Sequence, residues 1–406
     1  MNIVIVCYIY PPEVAPAGQM VKELSEDLSM AGHQVTVVTG YPNHPNGTLH
    51  DGWRMQGSLW EKGQGFRVLR VPHSTSPDRS FRARFRFYTS YAVNSLIAGL
   101  RLGRIDAVLC LSSPIVGAVS CWLLARLRRA RFYYGIWDIY PDVALSTGML
   151  RAGCLARALL ALDTYLCRQA DNVITISDGL KQTLMARGLP EDHVVIIPVW
   201  LDSDEIVPCP RSNHWRAEQS IADDKFVALY AGTIGLISGA QVMLDVADQL
   251  REYDSMLLLF VGEGERKQQL VAGAAIRGLP NMHFLPFQPR ARLSEVQSTG
   301  DIGIVTLERG KGQTSVPSKV LGYMAAARPV IASIDDDSDT AAWIRAADCG
   351  WVVPAEDPQA IANVLLRAAA NPDEAERRGR NGRQYLELKL NRTACTDAYN
   401  QLLLPK

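Results

Sequence analysis

Lys319 stands where a protein would hold an anion. The stretch Ser315-Val316-Pro317-Ser318-Lys319 reads as a polar loop opening a short helix of small residues, followed by the apolar strand Val330-Ile331-Ala332. Pro317 stiffens the loop, and Ser318 is placed to cap the helix by accepting bonds from its first backbone amides. Those amides and the helix dipole favour negative charge, and Lys319 adds a full positive one. Two other segments have the composition of a phosphate cradle: Gly232-Thr233-Ile234-Gly235, and Gly262-Glu263-Gly264 with Lys267 just beyond. Each follows an apolar run that reads as a strand, and ligands of parallel sheets gather at strand C-termini. Taken singly, each glycine pair is also what a tight strand-to-helix turn needs. Three such segments in one half of the chain favour an anion site.

The first half offers different chemistry. Asp138 places a carboxylate just beyond the apolar run Tyr133 to Ile136, where it is a candidate catalytic or positioning group; capping the next turn is its bland alternative. His44, in the loop Tyr41-Pro42-Asn43-His44-Pro45-Asn46-Gly47, is suited to bond a hydroxyl or act as a base near neutral pH. An exposed loop histidine with no role is the competing reading. Between Arg79 and Arg131 lie ten arginines and a single acid, Asp106. The interleaving of Arg82, Arg84 and Arg86 with Phe81, Phe85 and Tyr88 predicts a helix lying on an anionic membrane surface, with the three aromatics on one face. Arg126, Arg128, Arg129 and Arg131 would extend that patch.

The elements that must carry these residues alternate. Ile3–Cys7 and Val35–Thr39 read as buried parallel strands flanking a helix with Met20, Leu24 and Leu28 on one face, which Gly32 stops. Further strands are expected near Phe66–Val71, Ala107–Leu111, Arg131–Ile136, Asn172–Ile176 and Val194–Ile197. The pattern restarts at Phe226–Tyr230 and continues through Met256–Val261, His283–Leu285, Ile302–Val305, Val330–Ala332 and Gly350–Val353. The proline-rich stretch 198–210 reads as a linker, and Gly382 to Leu404 as a last helix. The first turn lacks G-x-G-x-x-G, which argues against a nicotinamide or flavin.

Composition sets outer limits. A chain of 406 residues fits two domains of roughly 180–200 residues better than one core. Lys and Arg number 42 and Asp and Glu 42, so the balance is neutral and a general nucleic-acid binder is not expected. The eight cysteines show no C-x-x-C or Cys/His pairing, which predicts a reducing compartment and no structural zinc. The chain opens directly on a strand, so no signal peptide is expected, and no uninterrupted apolar run reaches the roughly 18 residues of a membrane span, so none is predicted.

The loop S-x-P-S-K followed by a helix of the type L-x-Y-M-A-A-x-x-P-V-I-A resembles the donor-site signature of family-four, retaining, GT-B glycosyltransferases, in particular the subgroup building bacterial O-antigen and exopolysaccharide repeat units. The likeness spans essentially the whole chain. It implies two Rossmann-like, doubly wound α/β domains with an interdomain cleft: residues 1–204 on the acceptor side, joined by a crossover helix at about 385–406, and residues 205–384 on the donor side. It implies a glycosyltransferase using a UDP- or GDP-linked sugar, with no cofactor or metal. Gly232, Thr233, Gly235, Gly262, Glu263, Gly264, Lys267 and Ser315 to Lys319 would hold the donor. Asp138 matches the subgroup's W-D-x-Y-P type motif, one residue after Trp137, where many members carry a histidine. His44 lies in a loop of the type Y-P-x-x-P-x-G. Glu13 and Gly18 fall in the first proline-rich loop, which this fold turns towards donor and acceptor.

The family's retaining mechanism needs no protein nucleophile, because the departing diphosphate assists the incoming hydroxyl. The expected acceptor is a glycan or polyprenyl-diphosphate-linked saccharide, met by a cytoplasmic enzyme resting on the inner face of the plasma membrane. Four positions depart from the pattern. The two cations of G-R-L-x-x-x-K-G become Thr233 and Ser238, and the role passes to Lys319, with Arg266, Lys267, Arg309 or Lys311 as supports. The E-x₇-E pair becomes Thr314 and Gly322, so the ribose loses its usual carboxylate. That gap leaves room for a non-catalytic partner subunit, and a nucleotide-sugar epimerase is the other alternative.

Overall fold

The computed structural model describes every residue except Val14, Pro45, Arg79, Ser112, Ser113, Val143, Ala144, 146–149, 313–315, Pro405, Lys406 and the side chain of Phe81. The chain divides into two compact units, residues 1–199 with 395–406, and residues 200–394.

In the first unit eight strands form one sheet: β1 (Asn2–Val6), β2 (Gln34–Gly40), β3 (Leu59–Lys62), β4 (Arg67–Val71), β5 (Ala107–Leu111), β6 (Arg131–Ile136), β7 (Asn172–Thr175) and β8 (Val194–Ile196). Their order is β3-β4-β2-β1-β5-β6-β7-β8, parallel throughout except for β3 at the edge. The uninterrupted apolar sequences of β1 and β5 follow from burial on both faces. Three helices matter below: α1 (Pro16–Met30), α2 (Phe81–Leu100) and α3 (Ile115–Arg128). Proline opens α1, and Met20, Leu24 and Leu28 are buried as their spacing predicts. β3 was not expected: Leu-Trp-Glu-Lys is short, and Leu59 and Trp60 are exposed at the sheet edge, so burial leaves little pattern on it.

In the second unit six strands run parallel in the order β11-β10-β9-β12-β13-β14. They are β9 (Phe226–Ala231), β10 (Met256–Val261), β11 (Met282–Leu285), β12 (Ile302–Thr306), β13 (Val330–Ser333) and β14 (Gly350–Val353). The proline-rich stretch is tied down rather than loose, with Val207 and Cys209 amides donating to the hydroxyls of Ser294 and Ser298. The expected single last helix is two, Pro372–Lys389 and Arg392–Leu403. The break falls at Leu390–Asn391, and the Asn391 side chain caps the second helix by accepting from the Ala394 amide at 2.8 Å. From Cys395 the chain packs with the first unit, where Asn400 meets His33 and Thr396 meets Asp27. Among the described residues no helix is long and apolar enough to cross a membrane.

Candidate functional site

In the second unit the strand order reverses between β9 and β12, and ligands of open α/β sheets bind outside the strand ends at such a point. β9 and β12 hold register for two pairs only, Ala228 with Ile302 and Leu229 with Gly303, and then part. Tyr323, on the helix Lys319–Ala325, fills the split. Its hydroxyl accepts from the Ala231 amide at 2.8 Å and donates to the Ile304 carbonyl at 3.2 Å. Gly303 admits the ring: a Cβ there would come within 2.2 Å of it. Burial holds the Tyr323 phenol far above its ordinary pKa, so it remains a donor.

The three glycine-bearing segments come together above this split. Gly232 and Ile234 donate to the carbonyls of Val261 and Glu263, both at 2.9 Å, so the first loop is zipped to the second. Gly262 and Gly264 have positive φ and lie backbone against backbone with the first loop; a Cβ on either would stand about 2 Å from the Gly232 or Ile234 carbonyl oxygen. On its other side the first loop meets the segment after β12. Glu308 donates to Ile237 at 3.0 Å, and the Thr306 hydroxyl to the buried Ser238 carbonyl at 2.6 Å. Lys319 reaches across beside Gly232, its Cε 3.4 Å from where a Cβ would be. Its ammonium bonds the Tyr230 hydroxyl and lies 3.8 Å from that ring's centre. Tyr230 in turn donates to the Thr233 carbonyl at 3.1 Å.

Several expectations need correction. Ser318 does not cap the helix with its side chain: it is already helical, at φ −62° and ψ −18°, whereas a capping residue is extended. Backbone carbonyls serve instead, with Val320 and Leu321 donating to Pro317 and Ser318. Lys267 pairs with Glu263 at 2.7 Å and bonds the Leu285 carbonyl, so both residues are committed to bracing the second loop. Arg266 bonds Gln269, and Arg309 the Ala355 carbonyl. Asp335 is half-buried, and its carboxylate accepts from the amides of Gly310 and Gly312, each at 2.9 Å. Val316 and Pro317 are half-buried beside Lys319, while Ser315 and Thr314 lie outside the described residues. Gly322 is buried, and a Cβ there would meet the Gln297 amide nitrogen at 2.9 Å.

In the first unit Asp138 opens on a recess of about 30 Å³ at the C-terminal ends of β1, β5 and β6, lined also by Tyr8, Tyr88, Pro114, Tyr134 and Tyr140. Asp138 reaches solvent, yet protein surrounds the carboxylate on most sides, and the resulting desolvation raises its pKa above the ordinary value. Burial likewise raises Tyr8 and Tyr88, and lifts Tyr140 to about 12, so three neutral phenols stand around one carboxylate. Tyr8 packs edge-on against Phe87 and Tyr88. Tyr88 therefore turns inward, and the expected outward face of Phe81, Phe85 and Tyr88 does not form: Phe85 is exposed, and the Phe81 side chain lies outside the described residues.

His44 is not part of this recess. It is exposed on its loop, and its amide and that of Asn43 donate to Glu13 at 2.8 and 2.9 Å. The buried Glu13 carboxylate also accepts from the Tyr10 amide, so it ties two loops together. Gly18 brings α1 against the Ile9 carbonyl, where a Cβ would stand 3.1 Å away. Of the basic patch, Arg128 bonds carbonyls at the end of α2, Leu102 among them at 2.7 Å, and Arg131 those of Leu403 and Leu404, so both serve to fasten helix ends. Tyr8 and Tyr134 were missed in the sequence because each sits in or beside an apolar run and reads as core, whereas Tyr88 was expected on the outer face of α2.

Residues 17–200 match the model of the glycosyl transferase 4-like domain, and residues 212–385 that of glycosyl transferases group 1. The chain is 28% identical over 335 residues to WcaI of Escherichia coli (strain K12), a glycosyl transferase named for colanic acid biosynthesis, with 80% of this chain and 81% of that one covered. It superposes on sucrose-phosphate synthase from Thermosynechococcus elongatus with a TM-score of 0.76 at 17% identity, covering 99% and 98% of the two chains. Anabaena HepE in complex with UDP-glucose gives 0.74 at 13%, covering 99% of each. At these identities the structures establish the fold.

Proposed function

Because the chain belongs to the group 1 family of glycosyltransferases and has the two parallel-sheet domains of the GT-B fold, we propose that it moves a sugar, with retention, from a nucleoside diphosphate to a lipid-linked saccharide or other glycan of a bacterial surface polysaccharide. The observation that carries this reading is Lys319, fixed beside Gly232 where β9 and β12 part. In the transfer the bond from the sugar's anomeric carbon to the diphosphate oxygen breaks. The acceptor oxygen bonds that carbon on the same face, and its proton passes to the leaving phosphate. Lys319 and the amides of the three loops, with Thr233, Gly235 and the Val316–Ser318 segment, stabilise the charge that grows on the diphosphate. Asp138 accepts a hydroxyl of the sugar or acceptor, with the neighbouring phenols as donors, and His44 is a second candidate for a sugar hydroxyl.

The donor is UDP-linked in this reading, supported by the UDP-glucose held by HepE, and the polysaccharide acceptor by the name of WcaI. The arginine-rich segment 79–131 would rest the enzyme on the cytoplasmic face of the plasma membrane, where a polyprenyl-diphosphate acceptor lies. The test is thermal stabilisation by a panel of UDP-, GDP- and dTDP-sugars, followed by hydrolysis of the one that binds. A UDP-sugar should raise the melting temperature and be hydrolysed slowly; a panel with no effect would overturn the reading.

A further inference from the structure

The helix Cys154–Gln169 carries two apolar stripes, and only one of them is used by the fold. Ala156, Leu166 and Cys167 are buried against the first unit. On its outer side Leu155, Leu162 and Tyr165, spaced i, i+7 and i+10, face solvent, Leu155 with 54% of its surface exposed. We propose that this helix joins α2 and α3 in one surface that seats the protein on an anionic lipid bilayer. The proposal rests on the membrane-side reading above and extends it to a helix outside the arginine-rich segment.

The three helices are contiguous. Trp122 of α3 packs edge-on against Tyr165 at 5.7 Å, and Leu124 of α3 lies so close to α2 that a Cβ on Gly99 would come within 2.5 Å of it. α2 exposes Val93, Ile97 and Leu100, and α3 exposes Leu127. Neither α2 nor α3 contains an acidic residue. The one acid of the third helix, Asp163, is buried, bonded to the Tyr134 hydroxyl and paired with Arg187 at 3.0 Å. Arg157 and Arg168 are exposed on that helix, and Arg82, Arg86 and Arg126 on the other two. Exposed apolar side chains flanked by arginine, with no exposed acid on any of the three helices themselves, match acyl chains below and anionic headgroups around. A second copy of the chain fits poorly, because a two-fold interface would oppose one basic face to another.

The test uses the full chain and vesicles of phosphatidylcholine, with or without phosphatidylglycerol. Sedimentation should show binding to the anionic vesicles that weakens as salt rises. Leu155→Asp with Leu162→Asp should weaken it by roughly tenfold or more, as should Arg157→Glu with Arg168→Glu, which keeps the test open should the first pair misfold. Hydrolysis of nucleotide sugar without vesicles should not change in either. Undiminished vesicle binding by both folded variants would overturn the proposal. So would a wild-type dimer in light scattering that either variant makes monomeric, since a second copy would then cover the face. A wild type that binds anionic vesicles through this helix but neither binds nor hydrolyses any nucleotide sugar would support the surface and defeat the donor reading alone.

Discussion

Lys319 holds its ammonium 3.8 Å from the centre of the Tyr230 ring while donating to that residue's hydroxyl. The lysine comes from the helix after β12 and the tyrosine from β9, so the contact spans the split in the sheet. Ring and hydroxyl together hold the charge beside Gly232 before any ligand arrives, and a charge fixed in advance needs no reorganisation when a diphosphate binds.

Lys319→Ala should weaken donor affinity by about 1.5–3 kcal/mol, or roughly tenfold to a hundredfold. Calorimetric titration with a UDP-sugar measures it. Tyr230→Phe keeps the ring and loses one bond to the ammonium, so its effect should be the smaller of the two. Normal affinity in the alanine variant would pass the cationic role to another residue.

Asp138→Asn should lower turnover far more than it lowers donor affinity or melting temperature. Desolvation raises the wild-type carboxyl, so the ionised form that accepts a hydroxyl is lost at a higher pH than for an ordinary aspartate. The acid limb of kcat/KM should therefore lie at a higher pH than an ordinary aspartate would give, and vanish in the asparagine variant. Stability runs the opposite way. A raised native pKa means that the native state binds the proton more tightly, so this residue's contribution to stability falls as pH rises from the unfolded to the native value. Thermal melts across that window should show the decline in wild type only. Full activity with a much lower melting temperature would leave Asp138 a turn cap.

Tyr323→Phe keeps the ring over Gly303 but strands the Ala231 amide and removes the donor to Ile304. Leaving buried backbone polar groups unpaired should cost about 2 kcal/mol or more. Urea unfolding should show a lower midpoint with an unchanged slope. A midpoint equal to wild type would mean that β9 and β12 close over the gap.

Gly322→Glu should destabilise the second unit and reduce activity. The new Cβ would press on the Gln297 amide at 2.9 Å, and its carboxylate would enter a buried site, where an uncompensated charge costs about 3 kcal/mol or more. Adding Gln297→Ala should relieve the crowding and recover part of the melting temperature. Tighter nucleotide binding by the glutamate variant, with no wild-type turnover, would identify instead a site that had lost its ribose contact.

Strands such as β1, β5 and β10 were legible because burial on both faces leaves unbroken apolar runs, and the loops after β9 and β10 because close backbone approach requires glycine. What local sequence did not carry is how side chains are committed. Lys267 read as a donor-site cation, although Glu263, four residues earlier, was the signal that it would be paired. Tyr230 and Tyr323 read as core because their polar work depends on a gap between strands far apart in the chain. Tyr88 was assigned to the outer face of α2 by helical spacing, whereas the recess beside Tyr8 draws it inward. Ser318 was expected to cap because of its residue type, and its helical backbone removes that option.

The amide of Ala231 has a side chain where its neighbours in the sheet have strand carbonyls. Its hydrogen can exchange with solvent only when the Tyr323 ring withdraws, which requires motion of the helix that also carries Lys319. One backbone proton thus acts as a gauge of that helix's excursions. A nucleotide gripped by Lys319 would slow its exchange, and the retardation would report occupancy of the site with no label and no turnover.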